Sequence, residues 1–193
     1  MKPDGRASAA GEAPIGGVSA PHVSMGAPPG VRFLRNCFCL MVPVLGFNLL
    51  FAQALPRAFQ PDVFSRDIPP SISVPENVLR GLLFVLLLLM PLTRPGATRR
   101  TPGIAMYSMG LALYFASWAA LIFRPNGAWS TSAIGFMAPA WTPIFWFVGM
   151  AWLSEERLFV PLRFYRRWMF IGVSALFLVF HNAHAALVFS RQP

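Results

Sequence analysis

The sequence predicts an all-α membrane protein, a polytopic helical bundle with four to five transmembrane helices. Of its 193 residues, 55% are hydrophobic and only 12% are charged, whereas soluble domains average about 25% charged residues. Most apolar residues fall into five stretches, each close to the ~20 residues with which a helix crosses a bilayer. Lipid offers no water to backbone polar groups, so unbroken apolar runs of this length predict helices rather than barrel strands. The stretches are residues 37–55, 75–92, 103–123, 133–153 and 168–190.

Two regions are predicted, a cytoplasmic tail over residues 1–30 and a membrane domain over residues 31–193. The tail is rich in Pro, Gly and Ala and has almost no large apolar side chain, so we expect it to be disordered. The first span, residues 37–55, has two interpretations. Arginines precede it and an A-x-A sequence ends it, as in a secretory signal cleaved after Ala54. The long segment upstream favours a retained helix instead.

Prolines predict the start of one helix and a kink in another. Pro75 is placed to begin the second span, in which Glu76 and Arg80 are spaced to pair on one face. In the fourth span, Pro139 and Pro143 remove two helical hydrogen bonds and predict a kink. The string PAWTPIFWFVGMAW in this span locally resembles the tryptophan-rich motif of the translocator-protein family. That motif follows the first helix of the family, so the sequence predicts no membership of it.

Small residues recur at four-residue spacing along the third span. Small side chains on one face let membrane helices approach each other closely. The spacing therefore predicts a packing face, used either within the chain or in a homo-oligomer. Besides the lipid bilayer, the expected partners are other membrane proteins or a second copy of the chain. The face consists of Ser108, Ala112, Ala116 and Ala120.

The placement of arginines predicts an N-in, C-out orientation. With the N-terminus in the cytoplasm, eleven of the 16 Lys and Arg residues fall on the cytoplasmic side and five on the other, in agreement with the positive-inside rule. The net charge of +9 is divided among short loops, so nucleic acid is not an expected partner. Fifteen of the 16 basic residues are Arg. This bias is typical of GC-rich bacterial genomes and predicts a bacterial inner membrane.

His181 and His184 are the candidate metal ligands. They are three residues apart in the last span and therefore share one helix face. Ionisable side chains within a span are rare and often functional. Neutral imidazoles would suit a transition metal or haem iron, although the sequence requires no cofactor. The alternative is that both histidines form hydrogen bonds with neighbouring helices or with water.

A second candidate site is a pocket for a small molecule. Six polar residues are predicted to lie between the bilayer midplane and its outer surface. Helices that bring these side chains together would form an outward-facing polar pocket. The six residues are Asn48, Tyr114, Thr142, His181, Asn182 and His184.

The sequence contains no catalytic constellation, so an enzyme is not the favoured interpretation. The small-residue face and the short loops favour a structural, assembly or interaction subunit. A module that binds or transports a small molecule is the first alternative, and a haem- or metal-binding redox protein is the second. Transporters usually carry internal repeats or intramembrane charges, and the sequence shows neither.

Cysteine labelling measures the predicted orientation. In a variant whose two native cysteines are replaced by alanine, we expect Asn126→Cys to react with a membrane-impermeant maleimide in intact cells. The reason is that the loop after the third span is predicted to lie outside. Ala97→Cys, in the arginine-rich loop before that span, should react only after the cells are permeabilised. The opposite pattern would exclude the N-in orientation.

Overall fold

A computed structural model describes residues 35–160 and 165–192 of the chain. The predicted tail over residues 1–30 lies outside the described residues. Within the described ranges the chain forms helices and two isolated β-bridges but no strand, so the predicted all-α class is confirmed. The α-helices of these ranges are α1 (Val42–Leu50), α2 (Pro61–Phe64), α3 (Pro70–Leu89), α4 (Arg100–Phe123), α5 (Ala128–Thr131), α6 (Ala133–Phe136), α7 (Ala138–Trp141), α8 (Pro143–Leu153) and α9 (Arg167–Phe189).

Three helices of the described part are long and apolar enough to cross a membrane, namely α3, α4 and α9. They coincide with the second, third and fifth predicted spans, and they make the chain a membrane-like helical protein. The first predicted span is shorter than expected. It consists of a 3-10 turn, Cys37–Met41, then α1, and after Phe51 a second 3-10 turn, Ala52–Ala54. The continuous part, Cys37–Leu50, rises only about 24 Å. The hydrocarbon core of a bilayer is ~30 Å thick, so this segment is too short to cross it as a straight helix.

The fourth predicted span is divided at its prolines. Helices α6, α7 and α8 follow one another through Met137 and Thr142, both of which have right-handed helical backbone angles. Pro139 and Pro143 lie in the first turns of α7 and α8, where the N–H that proline lacks would have no helical partner. The segment therefore consists of three consecutive helical pieces, divided beside the two prolines at which a kink is predicted.

Helix α3 begins at Pro70, not at Pro75 as predicted. Pro70 takes the first helical position, which suits its fixed φ angle. Pro75 is accommodated inside the helix, where it removes one backbone hydrogen bond. The earlier start moves Glu76 from the first turn into the second. As a result its side chain lies within the bundle and is almost fully buried.

Helices α4 and α8 pack with their backbones in direct contact. A Cβ atom added at Gly110 would overlap the backbone nitrogen of Trp146, and one added at Gly149 would lie 2.5 Å from the backbone nitrogen of Tyr107. Close approach at small residues is typical of helix pairs in membranes. Helix α9 packs against both α3 and α8, which completes the bundle.

The predicted small-residue face lies on another side of α4. Ser108, Ala112 and Ala116 are exposed, and Ala120 is half-buried. Among the described residues, the contact between α4 and α8 is therefore made by glycines and not by this face. Its use in association with another chain stays a prediction.

Replacing Gly110 tests the contact between α4 and α8. We expect Gly110→Ala to lower the free energy of unfolding by about 1–3 kcal/mol, the usual range for overpacking, because the added methyl group meets backbone atoms. Gly172→Ala on α9 is the matched control, since nothing lies within 4 Å of its added Cβ. Unfolding in mixed micelles should show the control unchanged or more stable by up to about 1 kcal/mol. Equal stability of the two variants would contradict the packing described.

Candidate functional site

A buried carboxylate connects α3 to α9. The Glu76 side chain is only 2% exposed. Its Oε1 atom lies 3.0 Å from Nδ1 of His181, and its Oε2 atom lies 2.6 Å from Nδ1 of His184. The Arg80 guanidinium, one turn further along α3, also binds Oε1. We call these four residues (Glu76, Arg80, His181 and His184) the Glu76 cluster.

The surroundings of His184 determine how many protons the cluster holds. Its Nε2 atom lies 3.0 Å from the backbone carbonyl oxygen of Phe64. Because a carbonyl oxygen only accepts hydrogen bonds, Nε2 must carry a proton. A second proton must lie between Nδ1 and Glu76, since two lone pairs would repel each other at that distance. Whichever atom holds this second proton, the charges of Glu76 and His184 sum to zero.

Arg80 carries a permanent positive charge in the cluster. Besides Glu76, its guanidinium donates a hydrogen bond to Oδ1 of Asn77. Its Cζ atom lies 5.8 Å from the centre of the Phe177 ring, which is within the range of a cation–π interaction. The side chain is still 42% exposed. The guanidinium is therefore positioned by Glu76, Asn77 and Phe177, and the Arg80 side chain also borders a neighbouring cavity.

The cavity has a volume of about 490 Å³, within the range of small-molecule sites. It lies between α1, α3, α4, α8 and α9. Arg80 and His181 line one end, and Met41, Val44 and Leu87 line the other. Arg80 and Leu87 are separated by about 10 Å along α3. The cavity thus extends for about 10 Å along α3, with a charged end and an apolar end, and we call it the central cavity.

Helix α1 forms one wall of the central cavity. Two tyrosines of α4 attach this wall: the Tyr107 hydroxyl donates to the Leu40 carbonyl oxygen at 2.6 Å, and the Tyr114 hydroxyl donates to Asn48 Oδ1 at 2.8 Å. The Phe47 ring packs on Phe115 of α4 with centroids 4.8 Å apart. These contacts hold α1 against α4, while the central cavity separates α1 from the middle of α3.

The structure brings together three of the six residues predicted to form a pocket. Asn48, Tyr114 and His181 line the central cavity. The other three have structural partners instead. The Thr142 hydroxyl donates to the Ala138 carbonyl oxygen within its own segment at 2.8 Å, His184 faces Glu76 and Phe64, and Asn182 joins α9 to α7 by donating to the Ala140 carbonyl oxygen at 3.1 Å.

Sequence reasoning missed Glu76 and Arg80 as site residues. The pairing of these two residues was predicted and is present, but no partner on another helix was predicted for it. The sequence did contain one signal for this contact, namely the depth of each side chain along its helix. With α3 and α9 antiparallel, a carboxylate near the beginning of one helix and histidines near the end of the other lie at the same level.

The hydrogen bonds of the cluster leave His184 without a ring nitrogen for a metal or haem iron, so of the two predicted ligands only His181 keeps one. Three of their four ring nitrogens face Glu76 or the Phe64 carbonyl oxygen. Nε2 of His181 is the one ring nitrogen for which the described residues provide no such partner. Among these residues, no group of three or more His, Cys, Asp or Glu side chains has the arrangement of a metal site.

A double-mutant cycle measures the bond between Glu76 and His184. Glu76→Leu and His184→Phe each remove the polar groups while keeping a similar side-chain volume. We expect a coupling free energy of at least about 1.5 kcal/mol, as for hydrogen bonds to charged groups, above the ~0.6 kcal/mol average of membrane cycles. Asp62→Leu with His184→Phe is the control cycle, because Asp62 is exposed, and its coupling should be near zero. Coupling near zero in both cycles would contradict the geometry.

The chemistry that this site supports is recognition. The guanidinium of Arg80, the imidazole of His181, the amide of Asn48 and the side chains of Tyr114 and Ser65 line a mostly apolar cavity, an arrangement that can orient a molecule with one polar end. In comparisons with known proteins, the chain matches no protein-family model, no curated protein and no solved structure.

Proposed function

We propose that this chain is an integral membrane protein that binds a small molecule in the central cavity. The observation that carries the proposal is the cavity itself, about 490 Å³ in volume, bordered at one end by a buried ionic cluster. Ionisable groups within a membrane-spanning helix are energetically expensive, and they usually mark binding or conduction sites. Here part of that charge borders open space, because the Arg80 side chain is 42% exposed.

The walls of the central cavity support an organic ligand rather than an ion alone. Aromatic and aliphatic side chains cover most of the surface, including Phe59, Trp118 and Phe147. Aromatic rings bury a large area per residue and favour contact with apolar groups. A ligand that fills this space therefore has an apolar body, and its polar group lies beside Arg80 and His181.

For the membrane arrangement, we propose that α3, α4 and α9 cross the bilayer. The arginine distribution supports an N-in, C-out orientation, and the Glu76 cluster then lies in the outer half. The segments α6 to α8 and α1 lie beside these helices as further apolar elements at membrane depth. The excess of Arg over Lys in the sequence supports a bacterial inner membrane as the location.

An interaction or assembly subunit is the alternative function. The exposed small-residue face on α4, from Ser108 to Ala116, supports it, because such faces pack against other membrane helices. A protein that acts only through this face needs no ligand. The two functions therefore differ in whether the central cavity binds a probe molecule.

Filling the cavity tests the proposed function. Leu83 lines the central cavity and is 2% exposed, whereas Leu82, the preceding residue, is 42% exposed. We expect saturable binding of radiolabelled dodecanoate to the protein in phosphatidylcholine nanodiscs, with empty nanodiscs as the blank. Leu83→Trp should weaken binding at least tenfold by occupying the space, and Leu82→Trp should leave it unchanged.

A third variant separates a blocked cavity from a damaged fold. Leu83→Ala enlarges the cavity and should retain binding, although it removes the same native side chain. Absence of saturable binding of both dodecanoate and 1-dodecanol to the wild-type protein would reject the proposed function and favour the interaction subunit. Equal loss of binding in Leu82→Trp and Leu83→Trp would also reject it.

A further inference from the structure

We propose that the ligand of the central cavity is a single-chain amphiphile with one negative charge, such as a long-chain carboxylate, whose anionic group binds Arg80. The inference rests on the proposed function and specifies the class of ligand. It follows from the charge of the Glu76 cluster, from the hydrogen-bond donors left on Arg80 and from the distribution of apolar side chains along the cavity.

The charge of the site fits a monoanion. Glu76 and His184 balance each other, so Arg80 is left with one positive charge. Among the described residues that line the central cavity, none is Asp or Glu. A cation would therefore find no carboxylate on the cavity wall and would be repelled by Arg80. A dianion would keep one uncompensated charge in a low-dielectric environment, which is strongly unfavourable. A single negative charge neutralises the site.

Arg80 is also oriented to receive such a group. A guanidinium has five N–H donors in one plane. Two of the Arg80 nitrogens donate to Glu76 and Asn77, and the remaining donors suit the two oxygens of a carboxylate. Glu76 and Phe177 hold the side chain in place before the ligand arrives. This preorganisation lowers the entropy lost on binding.

The apolar end determines the shape of the rest of the ligand. From Arg80 the residues of α3 that line the central cavity are Leu83, Phe84 and Leu87. Val44 of α1 and Phe147 of α8 also line it, so an apolar chain attached to the anionic group would lie among apolar side chains over about 10 Å. Each buried methylene contributes about 0.8 kcal/mol. This length of contact favours an extended chain over a compact anion.

Paired probes test the inference on the wild-type protein. Dodecanoate and 1-dodecanol share a chain length and differ in charge. At about pH 8 the carboxylate is ionised, and we expect dodecanoate to bind at least tenfold more tightly to the full chain in phosphatidylcholine nanodiscs. Dodecyltrimethylammonium should show no saturable binding. Equal affinities for dodecanoate and 1-dodecanol would overturn the inference and leave the proposed function standing, whereas no binding of either would reject both.

Variants of Arg80 assign the preference to its charge. Arg80→Gln should remove the preference for dodecanoate over 1-dodecanol, and Arg80→Lys should keep most of it because the charge is retained. Arg57→Gln is the matched control, since Arg57 is exposed and does not line the cavity, and its preference should equal that of the wild type. A preference that persists in Arg80→Gln would overturn the assignment.

The lipid composition of the nanodisc distinguishes two sources of the anionic group, a single-chain carboxylate and a phospholipid headgroup. A single-chain carboxylate should bind equally well when part of the phosphatidylcholine in the nanodisc is replaced by phosphatidylglycerol. Displacement of dodecanoate by phosphatidylglycerol would identify a phospholipid headgroup as the anion and overturn the single-chain assignment.

Discussion

A carboxylate inside an apolar helical bundle must be neutralised, and much of this architecture depends on how that requirement is met. Glu76 obtains its partners from two helices: Arg80 on its own helix, and His181 and His184 on α9. The two bonds from Glu76 to His181 and His184 fix the depth and rotation of α3 relative to α9. His184 extends the connection through its bond to the Phe64 carbonyl oxygen, which attaches the segment between α1 and α3. Unpaired, a charge in this environment would be strongly destabilising.

The other half of the bundle is held by a different kind of interaction. Helices α4 and α8 meet at Gly110 and Gly149 without intervening side chains, so dispersion contacts rather than charges stabilise this pair. Helix α1 belongs to neither arrangement. The Tyr114 hydroxyl and the Phe115 ring contact it directly, and the Tyr107 hydroxyl binds the preceding turn at Leu40. The central cavity lies between these three parts: helices α3 and α9, which the Glu76 cluster joins, helices α4 and α8, which meet at their glycines, and helix α1.

Local patterns predicted local structure well, and the long-range arrangement poorly. Apolar length identified α3, α4 and α9, and four-residue spacing predicted the Glu76–Arg80 pair. The bonds to His181 and His184 join residues more than a hundred positions apart, for which periodicity carries no information. The small-residue face was regular in sequence, yet helix crossing geometry placed Gly110 in the contact. Only three of the six predicted pocket residues line the central cavity, for the same reason. The sequence indicates how deep in the bilayer each side chain lies, but not the direction in which it points.

The distance along the chain between Glu76 and its histidines has a consequence for biosynthesis. Helix α3 is made long before α9, so during translation Glu76 has only Arg80, on its own helix, to balance it. Until α9 is made, Glu76 lacks its two histidine partners, and an ionisable group without all its partners is costly at membrane depth. Arrival of α9 completes the hydrogen bonds of Glu76. A chain interrupted before its last helix would therefore carry an incomplete Glu76 cluster.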